Sequence, residues 1–500
     1  MLDLCVEKKN TMQNSLVLEP LKIQLNEWRH QQKMALELMK TAGELIFDRS
    51  VELTLFRRDI YDSNPSTVIK NHLFAQRYIN KPITLNTTLL VANAIQNFEE
   101  IRSAKIDLGK LAANWIMEQD NYENVHEFIG DKLLHIIRPG QPVEGPTDVI
   151  LYGFGRIGRL LGRLILSATG KGEQLLLKAI VLRPKLKDPY EETFKRFSLL
   201  LSDSIHGDYP ATFTVSPDGS EVTINGNVIR VIYANNPQEI DYTQYGIHDA
   251  LLIDNTGVWR DHKGLSGHMR PGVKRVMLTA PGKDIPNIVY GINEGQIDKD
   301  SDRIISAASC TTNAISPVIK VIDDTLGIEH GHIETIHAYT VDQNLLDNFH
   351  KKPRRGRAAA INMVLTTTGA AKAVARVLPH LDGVLTGNAV RVPVPDVSLA
   401  ILNLAVKSET NVEEVNAILK EAAIHGDLVE QIHYSDSTEY VSSHAIGMTT
   451  TSVIDAPSTI VSSDKKNVTI YAWYDNEYGY ACQVVRLAKV FAQVNRPVYH

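Results

Sequence analysis

Two residues in this chain of 500 stand where a nucleophile and a base would be needed, Cys310 and His337. Ile304-Ile305-Ser306-Ala307-Ala308-Ser309 leads into Cys310-Thr311-Thr312-Asn313, after which Ile315, Val318, Ile319 and Ile322 recur as a helix face. Cys310 therefore sits at a helix N-terminus. The partial positive charge there lowers a thiol pKa and raises the thiolate fraction that attacks a carbonyl. Taken alone, a cysteine in such a place is more often a core residue than a nucleophile. Pro317 fits a helix only near its beginning, which predicts an irregular first turn. His337 closes the strand-like run Ile333-Glu334-Thr335-Ile336-His337 and is one of 17 histidines, so position alone makes it a structural residue by default. Cys5 and Cys482 have no comparable setting.

A second chemistry is written upstream. Val149-Ile150-Leu151-Tyr152 runs into Gly153-Phe154-Gly155-Arg156-Ile157-Gly158-Arg159, and Leu160, Leu161, Leu164 and Ile165 follow at helical spacing. Strand, glycine loop and helix in that order suit a dinucleotide. Gly153 allows the tight turn, Gly155 lets the backbone approach a pyrophosphate, Gly158 lets helix and strand pack closely, and the helix start offers free N–H groups. The strand after it ends at Arg183, where a carboxylate is expected to hold the ribose hydroxyls. A third segment, Lys351-Lys352-Pro353-Arg354-Arg355-Gly356-Arg357 with Thr366-Thr367-Thr368-Gly369 beyond it, suits a small phosphorylated ligand better than a nucleic acid. No aromatic interleaving follows it, and a formal net charge of −6 gives the chain no global field for polyanions.

These residues need positioning elements, and the chain changes texture to provide them. Residues 21–138 hold few Gly or Pro and show helical spacing, as in Trp28, Met34, Leu36, Leu38 and Met39, then Leu89, Leu90, Ala92, Ile95 and Phe98. The cluster 138–146, with three prolines and two glycines, reads as a linker. Beyond it short β-rich runs alternate with helices, and later strands lie closer together, which predicts an α/β domain followed by a more antiparallel one. Three cysteines make no disulfide framework and no CxxC metal site, no apolar run spans a membrane, and the composition is that of a cytoplasmic globular protein.

Together the strings GFGRIGR (153–159), NTGV (255–258), SAASCTTNA (306–314), HAYT (337–340), RRGRAAA (354–360), TTTGAAKAV (366–374), RVPVPDVS (391–398) and WYDNEYGYA (473–481) resemble one family, phosphorylating glyceraldehyde-3-phosphate dehydrogenase. The resemblance spans 148–500. It implies a Rossmann-type NAD(P)-binding domain over 146–309, joined by a C-terminal helix in 476–500, an α+β catalytic domain over 310–475 with a mostly antiparallel sheet, and a homotetramer. Residues 1–145 stand outside it as an all-helical N-terminal region. Carried over by motif, Cys310 is the nucleophile and His337 the base. Ser309, Thr311, Thr368 and Gly369 hold one phosphate, and Thr340 and Arg391 lie at the second. Arg156 and Ile157 meet the pyrophosphate within the cofactor loop of Gly153, Gly155 and Gly158, Asn235 and Thr279 lie along the adenine and ribose, Asn476 fixes the nicotinamide amide, and Tyr480 flanks its ring. No metal is implied. Tyr152, Arg183 and Asn348-Phe349 depart from the family pattern, all toward the cofactor, and lean toward NADP or dual use. The implied reaction is oxidation of glyceraldehyde 3-phosphate to 1,3-bisphosphoglycerate. Erythrose-4-phosphate dehydrogenase, or a binding or regulatory protein that keeps the fold, are the alternatives.

Overall fold

The computed structural model describes residues 3–78, 83–137, 145–171 and 174–499, with side chains from residue 23 on and excluding those of 74–78. The chain separates into two compact units. One holds Met1–Pro142 with Gly170–Gly172 and Arg496–His500; the other holds Val143–Thr169 and Glu173–Asn495. Most of the predicted linker, 138–144, lies outside the described residues.

The N-terminal unit opens on the helix Asp3–Arg49. Its buried face is Met34, Ala35, Leu38, Ala42, Leu45 and Ile46, steps of three and four that bring each to the same side. Trp28 and Leu36, which belong to the same apolar spacing, are 52% and 55% exposed and lie off that face. The expectation of an all-helical region needs correction. Val51–Leu55 and Ala104–Asp107 pair in parallel, Arg58–Asp59 adds an antiparallel edge, and Val498–Tyr499 from the far end of the chain closes the other side. Each strand has two to five residues. Runs that short carry no periodicity until a distant partner is known.

In the second unit the first sheet runs, in space, Ile304–Ser306, Val273–Leu278, Ala250–Asp254, Thr147–Tyr152, Leu175–Leu182, Asn227–Tyr233, then Glu221–Ile224 and Phe213–Val215. The first six are parallel, and their chain order is six, five, four, one, two, three. That order reverses between Thr147–Tyr152 and Ala250–Asp254. The crevice at such a reversal is where doubly wound sheets bind nucleotides, and the glycine loop opens there. Helix Arg156–Ala168 covers one face with Leu160, Leu161 and Ile165, and helix Tyr478–Phe491 returns to the same core through Tyr480, Val484, Leu487 and Phe491. The C-terminal segment thus divides: the helix joins this core, while Arg496–His500 joins the N-terminal unit.

The second sheet is mostly antiparallel, centred on Ile328–Ala338, Ser398–Val406 and Asn467–Tyr474. Leu385–Val392 lies parallel to Ile328–Ala338, in a register that sets Arg391 beside His337. Helix Cys310–Leu326 packs on this sheet, with Pro317 inside it and no break in the first turn. Cys310 touches the cores of both lobes.

Candidate active site

The thiol and the imidazole meet across two elements. Ser309 caps helix Cys310–Leu326, its hydroxyl accepting from Thr312 N at 3.0 Å, and Cys310 begins the first turn. The residue before the cap, Ala308, has φ +54°, a left-handed conformation that costs a residue with a Cβ on the order of 1 kcal/mol. It is held there by its N–H on Ser306 Oγ and its carbonyl accepting from the buried Tyr480 hydroxyl at 3.0 Å. Cys310 Sγ then lies 3.7 Å from His337 Nε2. Behind the ring, Arg391 Nη1 is 2.9 Å from His337 Nδ1 and donates to Ala338 O at 2.8 Å. Nδ1 also lies 2.8 Å from Ala338 O, so it accepts from the Arg391 guanidinium in one tautomer and donates to the carbonyl in the other.

Electrostatics favour a neutral resting pair. Burial and the Arg391 charge push His337 down to about 3, so its ring is uncharged near neutral pH. Burial raises the Cys310 thiol, and the Arg391 charge and the Thr311 hydroxyl pull against it. The charge available to a thiolate here is therefore Arg391 and the helix N-terminus rather than an imidazolium. A resting thiolate–imidazolium pair does not follow from this arrangement.

The other sequence-selected residues divide. Thr340 joins the group, its hydroxyl accepting from Arg391 Nη1 at 3.3 Å. Thr311 is turned inward, 3.1 Å from the hydroxyl of Tyr474. Thr368 accepts from Ala370 N at 3.1 Å, and Gly369 caps helix Ala370–Val377 with open space where a Cβ would stand. No hydrogen bond among the described residues ties these two to Cys310. The basic segment is less free than its sequence suggests, because Arg355 pairs with Asp342 and Arg357 with Asp347.

The glycine loop has the shape a pyrophosphate needs. Gly153 has φ +91°, and a Cβ on Gly158 would lie 2.4 Å from Gly153 O, so only glycine fits either position. A Cβ at Gly155 would meet nothing, which leaves the loop open where a phosphate approaches. Ile157 packs on the core below. The Arg156 side chain is spent elsewhere, paired with Asp203 and Glu477, so only its backbone N–H remains to meet a phosphate. Thr279 Oγ1 donates to Asp254 O and Asn255 Oδ1 at the ends of neighbouring strands, whereas the side chains of Asn235 and Arg183 are exposed at strand ends. Asn476 Oδ1 accepts from Ser398 Oγ at 2.7 Å, and Ser398 Oγ accepts from Ala338 N. This chain of bonds joins Asn476 to the backbone next to His337.

Three residues that sequence reasoning passed over complete the site. Tyr474 is fully buried and its hydroxyl bridges Thr311 and Thr335 at 3.1 and 2.7 Å. Asp254 accepts from Thr256 and from His268 Nε2, both 0% exposed at the side chain in the latter pair. Glu477 holds Arg156. The string WYDNEYGYA holds Tyr474 and Glu477 and Asp254 directly precedes NTGV, but only contact assigns the work.

Comparison with known proteins agrees with this geometry. Residues 147–262 match the family described as glyceraldehyde 3-phosphate dehydrogenase, NAD binding domain, and 309–476 match its C-terminal domain. A glyceraldehyde-3-phosphate dehydrogenase-like protein of Pseudomonas aeruginosa is 47% identical over 463 residues, 91% of this chain and 98% of that one. That match is longer than the run from 143 to 500 and so extends into the N-terminal unit. Glyceraldehyde-3-phosphate dehydrogenase 2 of Bacillus subtilis is 40% identical over 358 residues, 70% of this chain and 98% of its own length. The chloroplastic enzyme A of Zea mays is 41% identical over 354 residues, 70% of this chain and 84% of its own. With the glycine loop at the sheet reversal and Cys310 facing His337, the chain belongs to the glyceraldehyde-3-phosphate dehydrogenase family.

Proposed function

We propose that this protein oxidises glyceraldehyde 3-phosphate to 1,3-bisphosphoglycerate. The observation that carries the reading is the 3.7 Å approach of Cys310 Sγ to His337 Nε2 beside Arg391. Cys310 Sγ attacks the aldehyde carbon as the thiol proton passes to the new oxygen, which the Cys310 N–H and the imidazole stabilise, giving a hemithioacetal hydroxyl. A substrate phosphate drawn to Arg391 and Thr340 takes up the guanidinium. His337 Nδ1 then donates to Ala338 O, 2.8 Å away, and leaves Nε2 free to accept the hydroxyl proton of the hemithioacetal. The same phosphate offsets the charge that holds His337 low, making the ring a stronger base. Bound nicotinamide dinucleotide supplies the hydride acceptor. Inorganic phosphate, held by the N–H groups at the start of helix Ala370–Val377 with Thr368 and Ser309, then attacks the thioester, and the Cys310 thiolate leaves. Absorbance of the reduced nicotinamide, followed with glyceraldehyde 3-phosphate and phosphate, tests the reaction. No turnover with either cofactor sinks it.

The pairing of Arg355 with Asp342 favours a second reading, erythrose-4-phosphate dehydrogenase, which shares the Cys/His pair and needs no second phosphate site. A higher kcat/KM for erythrose 4-phosphate in the same assay would select it. A homotetramer in the cytoplasm accords with the main reading. Its support is the loop in which Val341, Leu345, Leu346 and Phe349 are 87, 74, 75 and 90% exposed, an apolar surface that a second copy would cover.

The cofactor reading is NADP at least as readily as NAD. Arg183 directly follows strand Leu175–Leu182 and is exposed, and Asp188, the carboxylate that could replace it, is already accepting from Tyr190 N as the cap of helix Pro189–Leu201. Arg183→Ala is expected to lower kcat/KM for NADP by about 5- to 150-fold, with NAD little changed, the worth of a charge-assisted hydrogen bond to a 2′-phosphate. A tenfold preference for NAD that the substitution leaves untouched removes Arg183 from this role.

A further inference from the structure

Beneath the cofactor crevice three segments converge on a group that the proposed reaction does not use. His206 lies in the turn between Ser202–Asp203 and Gly207–Asp208, Asp396 in the turn before Ser398–Val406, and Asp475 directly after strand Asn467–Tyr474. One donor atom from each lies within 4.8 Å of the other two. Asp475 is satisfied, accepting from Gly447 N, Glu477 N and Tyr478 N. Asp396 is not. Its residue is 2% exposed, and neither carboxylate oxygen has a hydrogen-bond partner. His206 Nε2 lies 3.5 Å from Oδ2, and that nitrogen is also 3.3 Å from Glu477 Oε2. Arg156, the strong cation nearby, is committed to Asp203 and Glu477.

An unpartnered carboxylate at this depth is costly unless a cation sits against it. We propose that His206, Asp396 and Asp475 form a structural site for one divalent first-row transition ion that takes mixed nitrogen and oxygen ligands, such as Mn2+. Donors on either side of an ion with bonds of about 2.2 Å are about 4.4 Å apart, close to the spread seen here. One imidazole with two carboxylates is a donor set for such ions rather than for soft ones. The ion would also brace the cofactor side of the site. Ser398 is two residues from Asp396, Asn476 is one from Asp475, and these two are the pair joined at 2.7 Å.

Loss of the free Mn2+ electron paramagnetic resonance signal, measured with the full chain after dialysis against a chelator, tests the proposal. Mn2+ is the probe because a hard ion avoids the Cys310 thiolate. The expected result is uptake of about one ion per chain by the wild type and by Cys310→Ser, with uptake lost in Asp396→Asn and in His206→Gln. A raised melting temperature with Mn2+ should follow the same pattern. No uptake by the wild type overturns the site, as does equal uptake by both ligand variants. Circular dichroism checks that the variants fold, and if Asp396→Asn does not, His206→Gln decides alone.

Discussion

The N-terminal unit and the dehydrogenase unit treat buried polarity in opposite ways. In the first, His72 is buried with both ring nitrogens bonded, to Val68 O at 2.8 Å and Thr88 Oγ1 at 2.9 Å. Asp107 accepts from the backbone N–H groups of Phe56, Arg57, Gly109 and Lys110. Among the described residues, every buried side-chain nitrogen or oxygen without a partner lies in the second unit, and Arg391 Nε, Arg355 Nε and both Asp396 oxygens are at or beside the site. A group left unsatisfied by protein atoms in a folded interior calls for a partner such as a water, an ion or a ligand. The first unit is built to pack, and the second gives up some packing energy to hold chemistry.

The sharpest way to test that division is to damage each unit and read both. Cys310→Ser should lower the dehydrogenase rate by about 10³- to 10⁶-fold, since a serine hydroxyl is not ionised near neutral pH, and should abolish iodoacetamide labelling at that position. His337→Asn should cost about 10²- to 10⁴-fold, the usual worth of a positioned acid–base group. A variant within a factor of two of wild type removes His337 from the reaction. Neither change should move the melting temperature of the N-terminal unit.

The reverse experiment is Leu38→Ala. Leu38 is 0% exposed in the N-terminal core, so its loss should destabilise that unit by about 2 to 5 kcal/mol. Calorimetry should show an early transition while kcat/KM stays at the wild-type value. A parallel loss of activity would mean the two units do not divide stability from chemistry.

A smaller effect distinguishes the resting states of the catalytic pair. With His337 near 3 and the thiol raised, alkylation of Cys310 should increase in one step as pH rises through a value above the ordinary thiol range of about 8.5. A thiolate–imidazolium pair would instead leave a reactive plateau between about pH 5 and 7. The sign for stability is the opposite of a paired histidine's. Because folding depresses His337, the unfolded chain binds the extra proton below about 6.5, and stability should fall as pH drops from there.

Much of the second unit was legible in the sequence because its signals are local. Gly153 and Gly158 are read from a loop where a Cβ has no room, and Cys310 from the helix pattern that follows it. Local spacing could not place His337, since its worth depends on a parallel register that sets Arg391 beside it and on a helix that carries Cys310 to its other side. Residue types settled the glycine turn, the capped helix and the family, because those depend on neighbours a few positions away. Tertiary structure alone decided the strands of the N-terminal unit, the inward turn of Thr311, the commitment of Arg156 to two carboxylates and the unpartnered Asp396. Each of these rests on atoms brought together from segments tens to hundreds of residues apart, and chain separation carries no energy until folding turns it into distance.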